Sequence, residues 1–205
     1  MQTIYSLMEL NVLFLLHPDY SMIVKSLANR GYNPAVELRR RGLGGHPNLL
    51  ARKFTEKGSI DIRYDLGRRV IGVETFDKDM LLAGGEDLLS SLREAGVNLN
   101  ENAIFYEYLA ELRLKIEKEL FLNIKLPAEV AGIIRDEPEV VSLKFKPRKL
   151  APTSHSYCEF NIEKLMSSEK GIYLVDIIMR DEEVKEVIEF IKNIEKMITE
   201  LIRFL

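Results

Sequence analysis

The 205-residue chain contains one cysteine, one glutamine and no tryptophan. A single cysteine, Cys158, cannot form an internal disulfide and is typical of a reducing compartment. The apolar run near the N-terminus ends at His17 and Pro18, far short of the roughly 20 residues that a membrane helix needs. The start of the chain also lacks the basic region and cleavage site of a secretory signal. We therefore expect a cytoplasmic protein without a membrane segment.

Metal and cofactor motifs are absent as well. The three histidines, His17, His46 and His155, are far apart in the sequence, and no HExxH or CxxC spacing occurs. The glycine-rich residues 42–45 have neither the spacing of a dinucleotide-binding site nor that of a P-loop. We expect neither a metal nor a cofactor.

The composition is that of an ordinary globular protein. Hydrophobic residues make up 46% of the chain and charged residues 30%, with a net charge of −3. This balance excludes intrinsic disorder, and the high charged content with few thermolabile residues favours a thermophilic source. Neither half is a basic domain, so any nucleic-acid role requires local segregation of charge.

Hydrophobic periodicity predicts a similar order of elements in two halves of the chain. Each half begins with a strand and a helix, continues with three or four strands and ends with a helix. In the first half the strands are residues 4–16, 35–41, 48–54, 59–65 and 69–75, and the helices are residues 23–28 and 79–95. In the second half the strands are residues 102–117, 139–146, 157–163 and 171–179. One helix begins at Pro127, and the closing helix spans residues 184–205.

This order predicts an α+β fold in which two pseudo-repeated halves, 1–98 and 102–205, share a curved, mainly antiparallel sheet with helices on one face. The element order resembles the TATA-binding-protein fold over the whole chain, although no sequence motif supports the resemblance. The paired phenylalanines with which that family wedges DNA steps are missing, so promoter recognition does not carry over. The alternative is a tandem of ferredoxin-like βαββαβ units, common in RNA-binding proteins, with residues 102–117 closing the first unit.

The strongest local charge pattern lies in the third element of each half. Because strand side chains alternate between faces, Val141, Leu143 and Phe145 fall on one face, and Ser142, Lys144 and Lys146 fall on the other. Residues 36–41 show the same alternation. The sequence therefore predicts a basic surface formed by two related strands and nearby segments: Arg39, Arg41, Arg52, Lys53, Lys144, Lys146 and Arg148. The alternative is that these charges only protect exposed edge strands from aggregation.

Three functional hypotheses remain open. The leading one is a non-catalytic binding protein whose sheet face contacts an anionic partner such as nucleic acid. The enzymatic alternative is metal-independent RNA cleavage, in which His46 takes a proton from a ribose hydroxyl and a lysine or arginine stabilises the charge on the phosphate. The third is an oligomeric scaffold or homodimer that pairs through the apolar stripe of the terminal helix, although packing on the chain's own sheet explains that stripe equally well.

Overall fold

The described strands of the protein form one sheet. The computed structural model describes residues 2–36, 48–116, 119–121, 140–146, 155–165 and 171–205. Within these ranges nine strands are arranged in a single sheet, and every strand pair is antiparallel. The strands are β1 (Gln2–Phe14), β2 (Asn33–Pro34), β3 (Leu49–Thr55), β4 (Gly58–Asp65), β5 (Val70–Thr75), β6 (Ala103–Lys115), β7 (Ser142–Phe145), β8 (Tyr157–Lys164) and β9 (Ile172–Asp181).

Helices connect and follow these strands. The described helices are α1 (Tyr20–Asn29), α2 (Lys78–Glu94), α3 (Leu99–Asn102) and α4 (Val184–Phe204). Asp77 caps the N-terminus of α2, because its carboxylate accepts a hydrogen bond from the backbone N–H of Met80 at 2.9 Å. Gly31 and Gly96 follow α1 and α2 in the left-handed conformation, which glycine adopts without strain. None of the helices in the described ranges has the length and apolar character needed to span a bilayer.

The strand order places β1 and β6 at the centre of the sheet. The order is β2-β3-β4-β5-β1-β6-β9-β8-β7, and β1 pairs with β6 along its whole length. The predicted α+β class with an antiparallel sheet is therefore confirmed. The tandem ferredoxin-like alternative does not fit the described strands, because four strands, β2 to β5, lie between α1 and α2 where that unit has two.

Close packing of α2 and α4 on the sheet forms the core. A Cβ on Gly84 would lie 2.6 Å from Ile60, and one on Gly85 would lie 2.6 Å from Leu10. These two glycines let the backbone of α2 approach the strands more closely than any other residue would allow. In α4, Ile191 and Ile194 are fully buried in the same core, which confirms core packing for this part of the apolar stripe.

The predicted strand at residues 35–41 is wrong at its beginning. Asn33–Pro34 form the strand β2, whereas Ala35 and Val36 are helical. Proline has no N–H for a strand ladder and is common just before or at the start of a helix, so Pro34 marks the change. Residues 37–41 and the helix predicted after Pro127 lie outside the described residues.

Candidate nucleic-acid interface

The helices distinguish the two faces of the sheet. Gly85 of α2 lies against Leu10 of β1, and the ring of Phe190 in α4 lies 6.0 Å from that of Tyr108 in β6. α1 packs beside α2 on the same side. Because successive strand residues point to opposite faces, the side chains between these core positions lie on the other face. We call this second face the open face.

A row of side chains crosses the open face from β8 to β4. Each member stands directly opposite the next one in the antiparallel register, so neighbouring side chains are within contact distance. The row consists of Tyr157, Arg180, Glu107, Asn11, Gly72 and Arg63. It brings together residues from both halves of the chain.

Aromatic rings surround an arginine at one end of this row. The guanidinium carbon of Arg180 lies 5.3 Å from the ring centre of Phe105 and 5.9 Å from that of Tyr157, within the range of a cation–π interaction. The ring of His155 stacks on Phe105 with centres 5.6 Å apart and 25° between the planes. Arg180 also donates a hydrogen bond to Glu107. We call these five residues the Arg180 cluster.

The carboxylate of the Arg180 cluster is buried beneath exposed cations. Glu107 is only 1% exposed, whereas the side chains of Arg180 and Arg68 are 37% and 61% exposed. Arg68 follows β4 and places a guanidinium nitrogen 3.8 Å from Glu107. Two positive charges therefore meet one negative charge, and the charge that reaches solvent is positive.

The same arrangement recurs at the β7 edge of the sheet. Lys144 places its Nζ 2.5 Å from an oxygen of Glu159, whose side chain is 10% exposed while that of Lys144 is 54% exposed. Hydrogen bonds from Lys144 and then Tyr157, with the nearby charge of Lys146, lower the pKa of Glu159. The predicted alternation of β7 is confirmed, since Leu143 packs against the core and Lys144 and Lys146 are exposed.

Carboxylates dominate the adjacent part of the open face on β1, β5 and β4. Glu9 stands opposite Glu74, which stands opposite Asp61. Burial raises the pKa of Glu74, an effect that the ion pair with Arg63 partly offsets. Arg52 is engaged here, because its Nε and Nη2 each donate to Asp61 at 2.5 Å. Arg52 and Arg63 are therefore paired with carboxylates in this part of the open face, whereas Arg180, Arg68 and Lys144 have larger exposed fractions.

Lys53 lies on the opposite side of the sheet from Arg52, since the two residues are consecutive in β3. Its Nζ lies 3.2 Å from Asp87 of α2 and 5.2 Å from the ring centre of Tyr32. The structure therefore separates Lys53 from the predicted basic surface. Four of the predicted site residues lie outside the described residues: Arg39, Arg41, His46 and Arg148.

Sequence reasoning did not find the Arg180 cluster. Alternation in β6 places Phe105 and Glu107 on one face, but it does not indicate which strand lies beside them. Glu107 and Arg180 are 73 residues apart, and only the register of β6 against β9 brings them together. In the described ranges, no three potential ligands from His, Cys, Asp and Glu lie close enough to hold a metal ion.

Comparisons with known proteins add little to this picture. No protein-family model matches the chain, and no curated protein matches it. A search of solved structures matched Methanococcus jannaschii TBP over 94% of this chain and 99% of that chain, with 9% sequence identity and a TM-score of 0.31. A TM-score this low carries no argument about fold or function.

Proposed function

We propose that this protein is a non-catalytic binding protein whose open face contacts single-stranded nucleic acid. The observation that carries the proposal is the Arg180 cluster, in which rings and exposed cations lie side by side over a buried carboxylate. Proteins that bind single strands combine aromatic platforms for the bases with cations for the backbone, and each stacked base contributes about 1–3 kcal/mol. Phe105, His155 and Tyr157 provide rings, and Arg180 and Arg68 provide guanidinium groups.

The β7 edge extends the cationic surface. Lys144 and Lys146 are exposed beside Glu159, and Tyr157 links this edge to the Arg180 cluster because it donates a hydrogen bond to Glu159 and stands opposite Arg180. An acidic protein with a pI near 5.8 can bind a polyanion when its exposed cations are concentrated in this way.

We also propose that the halves 1–98 and 102–205 are two copies of one structural unit with the TATA-binding-protein order. Three features support this. β1 and β6 begin the two halves and lie side by side; β5 and β9, the last strand of each half, flank them; and α2 and α4 follow those last strands. The remaining described strands then continue outward in reverse chain order on both sides.

Binding of labelled oligonucleotides tests the functional proposal. Fluorescence anisotropy should detect binding of a single-stranded 12-nucleotide oligomer at 50 mM salt. If Arg180, Lys144 and Lys146 each contact one phosphate, affinity should fall about 18-fold between 50 and 200 mM salt, from a slope of about −0.7 per phosphate. Absence of binding to DNA or RNA at low salt, or binding that salt does not weaken, would overturn the proposal.

A matched pair of charge reversals locates the surface. Replacing both Lys144 and Lys146 with glutamate should lower affinity at least about tenfold. The control replaces Lys192 and Lys196, two exposed lysines of α4 on the helix side, and changes the net charge by the same amount. Equal losses from both double variants would show that affinity follows net charge and would contradict an open-face site. His155→Ala, at an exposed position, should weaken binding because the Arg180 cluster loses one of its rings.

A further inference from the structure

A small polar cavity lies on the open face beside the Arg180 cluster. Its volume is about 160 Å³, and its walls include Glu9, Asn11, Arg68 and Gly72. Asn11 stands opposite Glu107 of the cluster, and Arg68 contacts the same Glu107. The cavity is therefore continuous with the surface proposed to hold a nucleic-acid strand.

The backbone at residue 72 makes room for one wall of this cavity. A Cβ on Gly72 would lie 1.8 Å from the side-chain oxygen of Asn11, so only glycine allows Asn11 to lie flat against β5. Asn11 is 7% exposed, and its Nδ2 donates to Glu9 Oε2 at 3.0 Å. This contact holds the Glu9 carboxylate beside Asn11 at the cavity wall.

The cavity lining includes two carboxylates, Glu9 and Asp65, and two guanidinium groups, Arg63 and Arg68. Glu9 provides carboxylate oxygens, which only accept hydrogen bonds, and Arg68 provides a guanidinium that only donates. Arg63 pairs with Glu74 and Asp61, although its buried Nε has no hydrogen-bond partner among the described residues, and Asp65 accepts a hydrogen bond from the backbone N–H of Arg68. A ligand that bridges Glu9 and Arg68 presents adjacent donors to Glu9 and acceptors to Arg68.

Size and polarity favour a single base. The volume is below the range of about 300–1,000 Å³ that holds a drug-sized ligand, so the cavity suits one ring system rather than a whole nucleotide. Guanine has neighbouring N1–H and N2–H donors that match a carboxylate, and its O6 and N7 acceptors match an arginine. Adenine places a ring-nitrogen lone pair beside its amino group, which a carboxylate repels.

We propose that this cavity binds one guanine of a bound strand, with Glu9 accepting from N1–H and N2–H and Arg68 donating to O6 and N7. The inference rests on the proposed function. On this proposal, the Arg180 cluster and the β7 edge provide the affinity for the strand, and the cavity provides the preference for one base.

Oligomers that differ in one base test this inference on the unmodified protein. Anisotropy is measured with 12-nucleotide thymine oligomers that carry one central guanine, adenine or hypoxanthine. Guanine should bind at least about tenfold more tightly than adenine, as expected for bidentate recognition. Hypoxanthine, which lacks the N2 amine, should fall between them. Glu9→Gln should abolish the preference, since an amide cannot accept from both donors, whereas Glu163→Gln, at an exposed open-face position on β8, should retain it.

The outcomes separate this inference from the proposed function. Equal affinity for guanine and adenine, with salt-sensitive binding intact, would overturn the guanine inference alone. Absence of binding to every oligomer would overturn both. A guanine preference that persists in Glu9→Gln would overturn the role of Glu9, and thermal unfolding of each variant verifies that it is folded. Competition by free guanosine monophosphate at the concentration of the oligomer would overturn the claim that the base belongs to a bound strand.

Discussion

Asn11 and Gly72 stand opposite each other in the β1–β5 pair, and the side chain of Asn11 occupies the space where residue 72 would carry its Cβ. The amide is almost fully buried although it lies on the open face. This contact joins the centre of the sheet to the polar cavity, because the same asparagine donates to Glu9. A single missing methyl group thereby determines where a carboxylate of the cavity lies.

Gly72→Ala should lower the free energy of unfolding by about 1–3 kcal/mol, because the new methyl group forces Asn11 from its position. The cost should be smaller in an Asn11→Ala background, where the closest remaining atom to the new Cβ is the carbonyl oxygen of Leu10 at 3.2 Å. Urea unfolding of the two single variants and the double variant measures the coupling.

Gly67→Ala is the matched control for this substitution. A Cβ at residue 67 would lie 3.4 Å from the nearest side-chain oxygen, on Asp65, so its effect should be small. If Gly72→Ala lowers the free energy of unfolding equally with Asn11 and with Asn11→Ala, a clash with the Asn11 side chain is not the cause of the loss.

Periodicity predicted most of the elements but not their neighbours. The apolar stripe of residues 184–205 identified α4, because burial of one face leaves a direct period in the sequence. Residues 102–117 fit both a helix and a strand by periodicity, and the repeated order of elements in the two halves favoured the strand that is β6. Pairing between strands leaves no such mark. The contact of Arg180 with Glu107 and that of Arg52 with Asp61 depend on register and could not be predicted.

The close approach of α2 to the sheet was also hidden from the sequence. Gly84 and Gly85 fall inside a predicted helix, where a glycine costs about 1 kcal/mol relative to alanine and offers no positive signal. The structure shows why glycine is needed at both positions, because Ile60 and Leu10 occupy the space that a Cβ would require. Alternation in β3 also places Arg52 and Lys53 on opposite faces of the sheet. The predicted basic surface included both residues because of their charge and did not take this alternation into account.

Arg52 should act in stability rather than in binding. Its side chain is 24% exposed and holds Asp61, which is 6% exposed, with Arg63 3.7 Å away as the only other described cation in ion-pair contact with that carboxylate. Arg52→Met should cost about 2–3 kcal/mol, below the roughly 3–5 kcal/mol for a fully buried pair that loses one partner. Urea unfolding measures this loss.

The same variant should bind oligonucleotides with nearly unchanged affinity, since the guanidinium is already occupied by Asp61. The Lys144 and Lys146 double variant is the comparison for binding: it should lose affinity, and because it also loses the Lys144–Glu159 ion pair, its binding is measured at a temperature at which urea unfolding shows it to be folded. A large loss of affinity in folded Arg52→Met would show that Arg52 contributes to the binding surface, as the sequence predicted.

Acid stability should depend on the contact between α1 and α2 at Glu94. Arg30 donates to this carboxylate at 2.9 Å and Ser26 at 2.6 Å, and these hydrogen bonds, that of Arg30 first, lower the pKa of Glu94 to about 2. A carboxyl group with a depressed pKa in the folded state stabilises the fold above its ordinary pKa, near 4.5. That contribution is lost as the pH falls from about 4.5 towards about 2, because the unfolded chain then takes up the proton first. Glu94→Gln should therefore melt at a lower temperature than the natural chain at pH 7, and the difference should shrink as the pH approaches 2.

Glu56→Gln, in the exposed turn between β3 and β4, is the control and should melt at the same temperature as the natural chain at each pH. A melting difference for Glu94→Gln that stays constant from pH 7 to pH 2 would mean that packing, rather than the ionised carboxylate, joins the two helices.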